Sequence, residues 1–348
     1  MLFQNQSVCS ENFSFHPIKK TCKIVDITSI QELNQSGFSM KLIQRPYNSE
    51  EDAWRIRAFL TEVFLLNQRI EISWPVYRFD YWFNFINPAL FKMPLEKIIH
   101  FWETSKGEIA AFLIPDNPGE AFFNIHPKYS NAGLLTEMFV VTKNQLGVKQ
   151  EDGSFKATTW IQEKDIVRQE MAKQLGYKKA NFPEFQRRRL ISEPIQDVPI
   201  PAGYTLRSMG DTSEIPARSW LSWKAFHSDE PDDHYQGWDW YPRVQSAPLY
   251  RRDLDLVAVA ADGELASFCT LWFDDVTRTA SFEPVGTHPN HQKKGVGKAL
   301  MTEGLKRVKH LGATLATVGS YSVRAGALYE SIGFKDYSLS EPWELKWD

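Results

Sequence analysis

The sequence has few cysteines, no excess of basic residues and no long hydrophobic run. Its cysteines, Cys9, Cys22 and Cys269, lie far apart and show no zinc-type spacing with histidine, so neither a disulfide framework nor a metal site is predicted. No stretch approaches the ~20 apolar residues of a membrane span. A net charge of −3 gives no global attraction to nucleic acid or anionic lipid. We therefore expect a cytoplasmic protein with neither nucleic acid nor membrane as a partner.

A chain of 348 residues with ordinary globular composition is long enough for two domains. Residues 1–39 lack the basic start, the apolar block and the small-residue cleavage site of a secretory signal, and we interpret them as a weakly structured extension. Tryptophan is abundant, with 12 residues, which indicates well-packed cores, pocket walls or both.

The rest of the chain repeats itself with a period of about 160 residues. Residues 106–112, KGEIAAF, match residues 262–268, DGELASF, and in each half the strand that follows ends at a His-Pro pair, His126-Pro127 or His288-Pro289. Two similar α/β units are therefore predicted, over 40–190 and 203–348. The Pro-rich residues 191–202 would link them.

Alternating or apolar β-prone runs bounded by turn residues predict the strands of each unit. In the first unit they cover residues 40–46, 97–103, 108–114, 120–126 and 185–190; in the second they cover 204–208, 255–261, 265–273, 279–287, 314–319 and 343–347. A helix is predicted over 211–226, with Asp211 or Thr212 as its N-cap.

The segment from Phe282 to Leu300 carries the clearest chemical signal. A strand leads into a Pro-marked loop, then Gly295 and Gly297, then an amphipathic helix. The first N–H groups of a helix have no intrahelical acceptor and the helix dipole is positive there, so a glycine-opened start suits a diphosphate. A P-loop is excluded because Ala299 follows Gly297-Lys298, and a dinucleotide fingerprint is excluded because Leu300 replaces the third glycine.

What remains, QKKGVG over residues 292–297, resembles the Q/R-x-x-G-x-G/A signature of the GNAT superfamily of N-acetyltransferases. A second segment, residues 322–334, resembles the family pattern N-x-x-A-x-x-L-Y-x-x-x-G-F, with Ser322 in place of the usual asparagine. The resemblance implies a mixed α+β fold of the GNAT type in two tandem copies. Each copy would have a central, twisted, mostly antiparallel sheet flanked by helices.

The resemblance also implies acetyl-CoA as cosubstrate. Its pantetheine arm would bond to main-chain groups at Val285, Gly286 and Thr287, and its pyrophosphate to the signature loop. The predicted coenzyme-binding residues in and beside that loop are Gln292, Lys293, Lys294, Gly295, Val296, Gly297, Lys298 and Ser322.

Direct attack of an amine on the thioester needs a proton acceptor for the amine and a proton donor for the departing sulfur. By resemblance, Glu283 is the candidate base and Tyr329 the candidate acid. The alternatives are a solvent-facing strand glutamate and a core tyrosine. His288 and His291 flank the loop, where a solvated structural role is favoured over a catalytic one.

The first copy has lost the signature. Counted from the shared His-Pro pair, Ser130, Gly133 and Leu135 stand where the second copy has Gln292, Gly295 and Gly297. A leucine Cβ would obstruct a phosphate, so only the second copy is expected to bind acetyl-CoA, while the first is structural or helps to form the acceptor site. This tandem layout resembles that of the mycothiol synthases, although no residue specific to their acceptor is visible.

The loop after the predicted helix mixes aromatic rings with carboxylates, which would suit a cationic amine. The candidate acceptor-binding residues are Asp229, Glu230, Tyr235, Trp238 and Trp240. The alternative, slightly favoured, is a solvated acidic loop anchored by packed aromatic rings.

The sequence thus predicts an N-acetyltransferase that acts on the amine of a small molecule in a ternary complex, as a monomer or a homodimer. A coenzyme-A-binding regulatory or scaffold protein without turnover is the second interpretation. It stays open because of Ser322 and the degenerate first copy.

Overall fold

The computed structural model describes residues 41–348, so the predicted extension over 1–39 lies outside the described residues. The elements of the first half are β1 (Ile43–Pro46), α1 (Glu50–Leu66), α2 (Val76–Tyr81), α3 (Leu95–Ile98), β2 (His100–Glu103), β3 (Ile109–Ile114), β4 (Glu120–Ile125), α4 (Ala132–Val141), β5 (Val148–Lys149), β6 (Phe155–Gln162), α5 (Ile166–Gln174), β7 (Lys178–Lys179) and β8 (Glu184–Leu190). Two segments of π-helix extend α2 and α4; they are Trp82–Phe91 and Thr142–Leu146.

The second half runs in the same order. Its elements are β9 (Tyr204–Ser208), α6 (Ile215–Phe226), α7 (Tyr241–Gln245), β10 (Asp255–Ala260), β11 (Leu265–Asp274), β12 (Thr279–Thr287), α8 (Val296–His310), β13 (Leu315–Ser320), α9 (Val323–Ser331) and β14 (Asp336–Trp347). Within residues 41–348, no helix is long and apolar enough to cross a bilayer.

Most predicted elements are present, and the few differences have local causes. Asp211 caps a short turn before α6 by accepting the N–H of Ser213 at 2.9 Å, as predicted. The strand predicted over 97–103 is wrong at its start, because one helical turn follows Pro94 and the strand begins only at His100. Pro94 is the N-cap of this turn, and Glu96 in its first turn favours a helix.

The two halves form one continuous sheet and exchange their last strands. Its order is β1-β2-β3-β4-β6-β14-β8-β13-β12-β11-β10-β9. β8 of the first half pairs with β13 of the second, and β14 of the second half pairs with β6 of the first. The predicted linker over 191–202 stays a prediction, and the sheet itself is continuous across the two halves.

Arginines of β8 bind the other half beside the exchanged strands. Arg187 Nη1 lies 2.9 Å from Glu330 and Arg188 Nε lies 2.5 Å from Asp336. Trp343 of β14 is buried in the aromatic core of the first half. The exchange therefore buries residues of each half in the other.

Each half contains a pair of parallel strands that separate. β4 pairs with β6 only at residues 120–121, and β12 pairs with β13 only at residues 279–281. Beyond those points the strands diverge, and main-chain groups on the facing edges lose their partners. We call the gap between β12 and β13 the second-half cleft and the gap between β4 and β6 the first-half cleft.

Candidate active site

Helix α8 begins at the mouth of the second-half cleft. Gly295 is its N-cap with φ of +82°, a conformation that glycine adopts without steric cost. Ala299 donates the first hydrogen bond of the helix, to the Gly295 carbonyl at 3.0 Å, so the N–H groups of Val296, Gly297 and Lys298 have no intrahelical acceptor. The structure thus provides the bare N–H groups that the sequence predicts, at the positive end of a helix of 15 residues.

The loop before α8 is fixed by the side chain of Gln292. Its Nε2 donates to the Thr287 carbonyl at 3.1 Å, and its Oε1 accepts from Arg324 Nη2 at 2.7 Å. Lys293 and Lys294 are exposed beside it, and Lys293 has φ of +61°. Gln292 therefore ties the loop to β12 on one side and to α9 on the other.

The main chain of β12 faces both its neighbour and the cleft. His288 N–H donates to the Ala266 carbonyl of β11 at 2.9 Å. In an antiparallel ladder every second residue bonds to the same neighbour, so the Gly286 amide also points towards β11. The amides of Val285 and Thr287 therefore point the other way, towards the cleft. A Cβ on Gly286 would lie 2.5 Å from the Phe268 ring, so only glycine fits there.

Ser322 caps helix α9 by accepting the N–H of Ala325 at 3.2 Å. The predicted role of Ser322 in coenzyme binding remains a prediction, since the capping bond alone explains a serine at this position.

Glu283 lies where the ladder between β11 and β12 is irregular. The register shifts between Cys269 and Leu271, so two residues, Glu283 and Pro284, lie opposite Thr270. The Trp272 indole N–H donates to the Glu283 carbonyl. A bulge of this kind re-aims a side chain, and it places this half-buried carboxylate at the point where β12 leaves β13.

Tyr329 is buried on α9, packed against the Phe334 ring at 6.4 Å between centroids. Burial raises the pKa of its hydroxyl well above the ordinary value, and the charge of Glu283 raises it further. The two candidate catalytic residues therefore lie within electrostatic reach of each other, and Tyr329 keeps its proton at neutral pH.

The corresponding helix of the first half begins differently. Asn131 caps α4, and its side chain accepts the N–H of Leu134 at 3.0 Å. A Cβ on Gly133 would lie 3.2 Å from the same Asn131 oxygen, and Leu135 is buried. In this half a side chain already occupies the position that an anion would need.

The His-Pro turns have the same structure in both halves. His126 Nδ1 accepts the N–H of Lys128 at 3.1 Å, and His288 Nδ1 accepts that of Asn290 at 3.2 Å. This repetition favours the structural role expected for His288.

Glu264, His288 and His291 bring their ligand atoms within 4.8 Å of one another. Because His288 Nδ1 accepts a hydrogen bond, its neutral ring carries the proton on Nε2 and presents an N–H, rather than a lone pair, to Glu264.

Two acidic side chains of the loop after α6 have partners in the same region. Glu230 accepts from His227 Nδ1 at 2.7 Å, and Lys224 lies 2.8 Å from Asp232. Asp229 is exposed. These local pairs match the alternative of a solvated acidic loop.

The aromatic residues of that loop have different surroundings. Trp240 stacks on Phe85 of the first half at 4.2 Å, and Tyr235 meets Trp220 edge-on at 5.1 Å. Trp238 is exposed. Trp240 therefore packs against the first half, and its role in acceptor binding, like that of the other four loop residues, stays a prediction.

The sequence did not single out three first-half residues whose pKa values respond to the charge of Glu283. The charge of Glu283 contributes to the raised pKa values of Glu71, Tyr77 and Tyr81, for each of which burial is the largest cause. These residues lie about 200 positions before Glu283, and no local pattern links them to it.

Residues 215–334 match the family model "Acetyltransferase (GNAT) family". This match lies within the second half of the chain. Among curated proteins it is 28% identical over 181 residues to the mycothiol acetyltransferase of Salinispora tropica, covering 50% of this chain and 58% of that protein. It is 25% identical to the mycothiol acetyltransferase of Paenarthrobacter aurescens, over 63% of this chain and 68% of that one.

Two solved structures extend the GNAT likeness to most of the chain. A GCN5-related N-acetyltransferase from Sphaerobacter thermophilus has a TM-score of 0.60 at 16% identity, covering 88% of this chain and 95% of that one. A tandem GNAT protein from the clavulanic acid biosynthesis pathway also has a TM-score of 0.60, at 14% identity, covering 88% and 98%. The predicted tandem GNAT fold is confirmed.

Proposed function

We propose that the second half binds acetyl-CoA and that the protein transfers the acetyl group to the amine of a small molecule. The observation that carries this proposal is the glycine-opened start of α8, with unpartnered N–H groups at the mouth of a cleft between two diverging strands. The matched family and the names of the relatives support acetyl transfer.

The residues present fit the coenzyme. The N–H groups of Val296, Gly297 and Lys298, with exposed lysines beside them, suit a diphosphate, because donors and dipole favour negative charge there. The cleft-facing amides of Val285 and Thr287 suit the amide groups of a pantetheine arm. When bound, acetyl-CoA supplies an acetyl thioester to the cleft.

The chain's own residues would then move two protons. Glu283 would accept a proton from the ammonium group of the acceptor, since an alkylammonium with a pKa of ~10 must become neutral to attack. Tyr329 holds a proton at its hydroxyl oxygen, because burial keeps the phenol neutral, and would donate it to the departing sulfur. Direct transfer needs no acylated residue of the protein.

The first half is not expected to bind a coenzyme, because the side chain of Asn131 already caps α4. Its helix start resembles an ordinary capped helix rather than an anion site. We assign it a structural role and a share of the acceptor site.

The direct test is thiol release from acetyl-CoA in the presence of a panel of amines. We expect amine-dependent release by the wild type and a loss of at least about 100-fold in kcat for Glu283→Gln, in line with the usual contribution of a general base. Glu303→Gln, on the surface of α8, is the matched control and should keep wild-type activity. Tight coenzyme binding with no release for any amine would instead favour a regulatory or scaffold protein.

A further inference from the structure

The first-half cleft is crossed by a short piece of chain between α1 and α2, residues 71–74, which we call the bridging segment. The last paired residues of the two strands are Ala121 of β4 and Thr159 of β6. If the pairing continued in the same register, Asn124 would lie opposite Gln162. Both of these residues instead bind the bridging segment.

Hydrogen bonds hold the bridging segment to each strand. On the β6 side, Gln162 Nε2 donates to the Glu71 carbonyl at 2.7 Å. On the β4 side, the Trp74 N–H donates to Asn124 Oδ1 at 2.8 Å. The segment therefore connects the two strands at the level where their own ladder has ended.

A third bond uses the amide that corresponds to a proposed coenzyme-binding amide of the second half. Ile125 N–H donates to Ser73 Oγ at 3.3 Å. Ile125 precedes His126 as Thr287 precedes His288, and the N–H of each histidine bonds the antiparallel strand on the other side at 2.9 Å. By alternation, the amides of Ile125 and Thr287 both point into their clefts. In the first half this amide already has a partner within the chain.

Packing fixes the bridging segment as part of the first-half core. Ser73 and Trp74 are 6% and 2% exposed. The Trp74 ring lies 5.2 Å from the Phe122 ring of β4 between centroids, and the Arg78 guanidinium lies 5.0 Å from the centre of the Trp74 ring. Buried and bonded on both sides, the segment fills the space between the strands.

We propose that the bridging segment is an internal ligand of the first-half cleft, where it takes the position of a pantetheine arm and keeps the cleft closed to small molecules. The comparison with the coenzyme arm rests on the proposed function. An extended chain with carbonyl and hydroxyl groups can bind the free edge of a strand whether it belongs to the protein or to a ligand. This closure is separate from the Asn131 cap, because the segment excludes the arm and the cap excludes the diphosphate.

Amide hydrogen exchange, resolved by NMR on the full chain, tests the bond to Ser73. The measured quantity is the exchange rate of the Ile125 amide divided by that of the His126 amide, which bonds β3 and reports general opening of β4. We expect Ser73→Ala to raise this ratio about tenfold, the effect of losing one hydrogen bond. Ser130→Ala, at an exposed serine of the same half, is the matched control and should leave the ratio unchanged.

A second variant tests the segment at another bond. Asn124→Leu removes the acceptor of the Trp74 N–H, so the Trp74 amide should exchange about tenfold faster relative to the His126 amide. An unchanged ratio in either variant overturns the inference, because the segment would then not be held in the cleft by these bonds.

Ligand probes separate this inference from the proposed function. The probes are coenzyme A and pantetheine, which carries the arm without the diphosphate. We expect coenzyme A to slow the exchange of the Thr287 amide and neither probe to slow that of Ile125. Slower exchange of Ile125 with either probe overturns the inference and leaves the proposed function standing. Failure of coenzyme A to slow Thr287 counts against the proposed function instead, and the ratio in Ser73→Ala still decides whether the segment closes the first-half cleft.

Discussion

At the scale of single residues, the sequence shows the glycine-opened loop that we propose binds the coenzyme, but it does not show which distant residues pack around Glu283. Gly295 and Gly297 lie two positions apart at a helix start, so a short sequence motif is enough to identify them. Glu71 acquires its environment only through the packing of the two halves, which no spacing records. The capping role of Asn131 was not evident from the sequence either: the sequence points to Leu135 as the obstacle to a phosphate, and the structure adds the capping bond of Asn131 beside it.

The stability of the folded protein should depend on pH through the side chain of Glu71. A carboxyl whose pKa is about 8 in the folded protein but ordinary in the unfolded chain stabilises the fold at low pH, and this contribution is lost as pH rises towards 8. We expect Glu71→Gln to gain in Tm relative to wild type as pH rises from 5 to 8 and to level off above it. Calorimetric scans in matched buffers measure this difference.

For this comparison Glu303→Gln is the control, because its carboxylate pairs with Arg307 on the surface. A Tm difference between Glu71→Gln and wild type that stays constant from pH 5 to 8 would show that Glu71 titrates normally.

At the scale of elements, local patterns predicted β12 over Thr279–Thr287 with the bounds it has. They predicted the last strand over 343–347, but β14 already begins at Asp336. The added part pairs with β8 of the first half, and that pairing depends on the register of a strand far away in the chain. Strand propensity finds a strand, while its partner is set by tertiary contacts.

The strand exchange predicts that damage to β14 will destabilise both halves. Trp343 is 3% exposed in the first-half core, so Trp343→Ala should lower the free energy of unfolding by about 3–5 kcal/mol. Tyr337→Ala, at an exposed aromatic residue of the same strand, is the control and should cost little. Urea unfolding measures the free energy of unfolding, and amide hydrogen exchange in β6 and β13 reports the stability of each half.

We expect amides of β6 and β13 to lose protection in parallel in Trp343→Ala. Loss of protection in β6 with an intact β13 would mean that the halves unfold independently and that the exchanged strands do not couple them.

At the scale of the whole molecule, two copies of one fold have diverged at the same position. The second-half helix begins with bare N–H groups, whereas the first-half helix begins with a side-chain cap. The same His-Pro turn precedes both helices, so the two copies share this turn and differ in how the helix after it begins. This difference between the two helix starts supports the proposal that only the second half binds the coenzyme.

The measurement that tests this account most directly is the calorimetric stoichiometry of coenzyme A and acetyl-CoA on the full chain. We predict one molecule per chain, lost in Gly297→Val, whose Cβ would lie 3.1 Å from Thr287 Oγ1 and fill the approach to the helix N–H groups. A first-half change at the position that corresponds to Gly295, Gly133→Ala, should leave binding intact. Two molecules per chain, no binding, or full affinity in Gly297→Val would contradict the account.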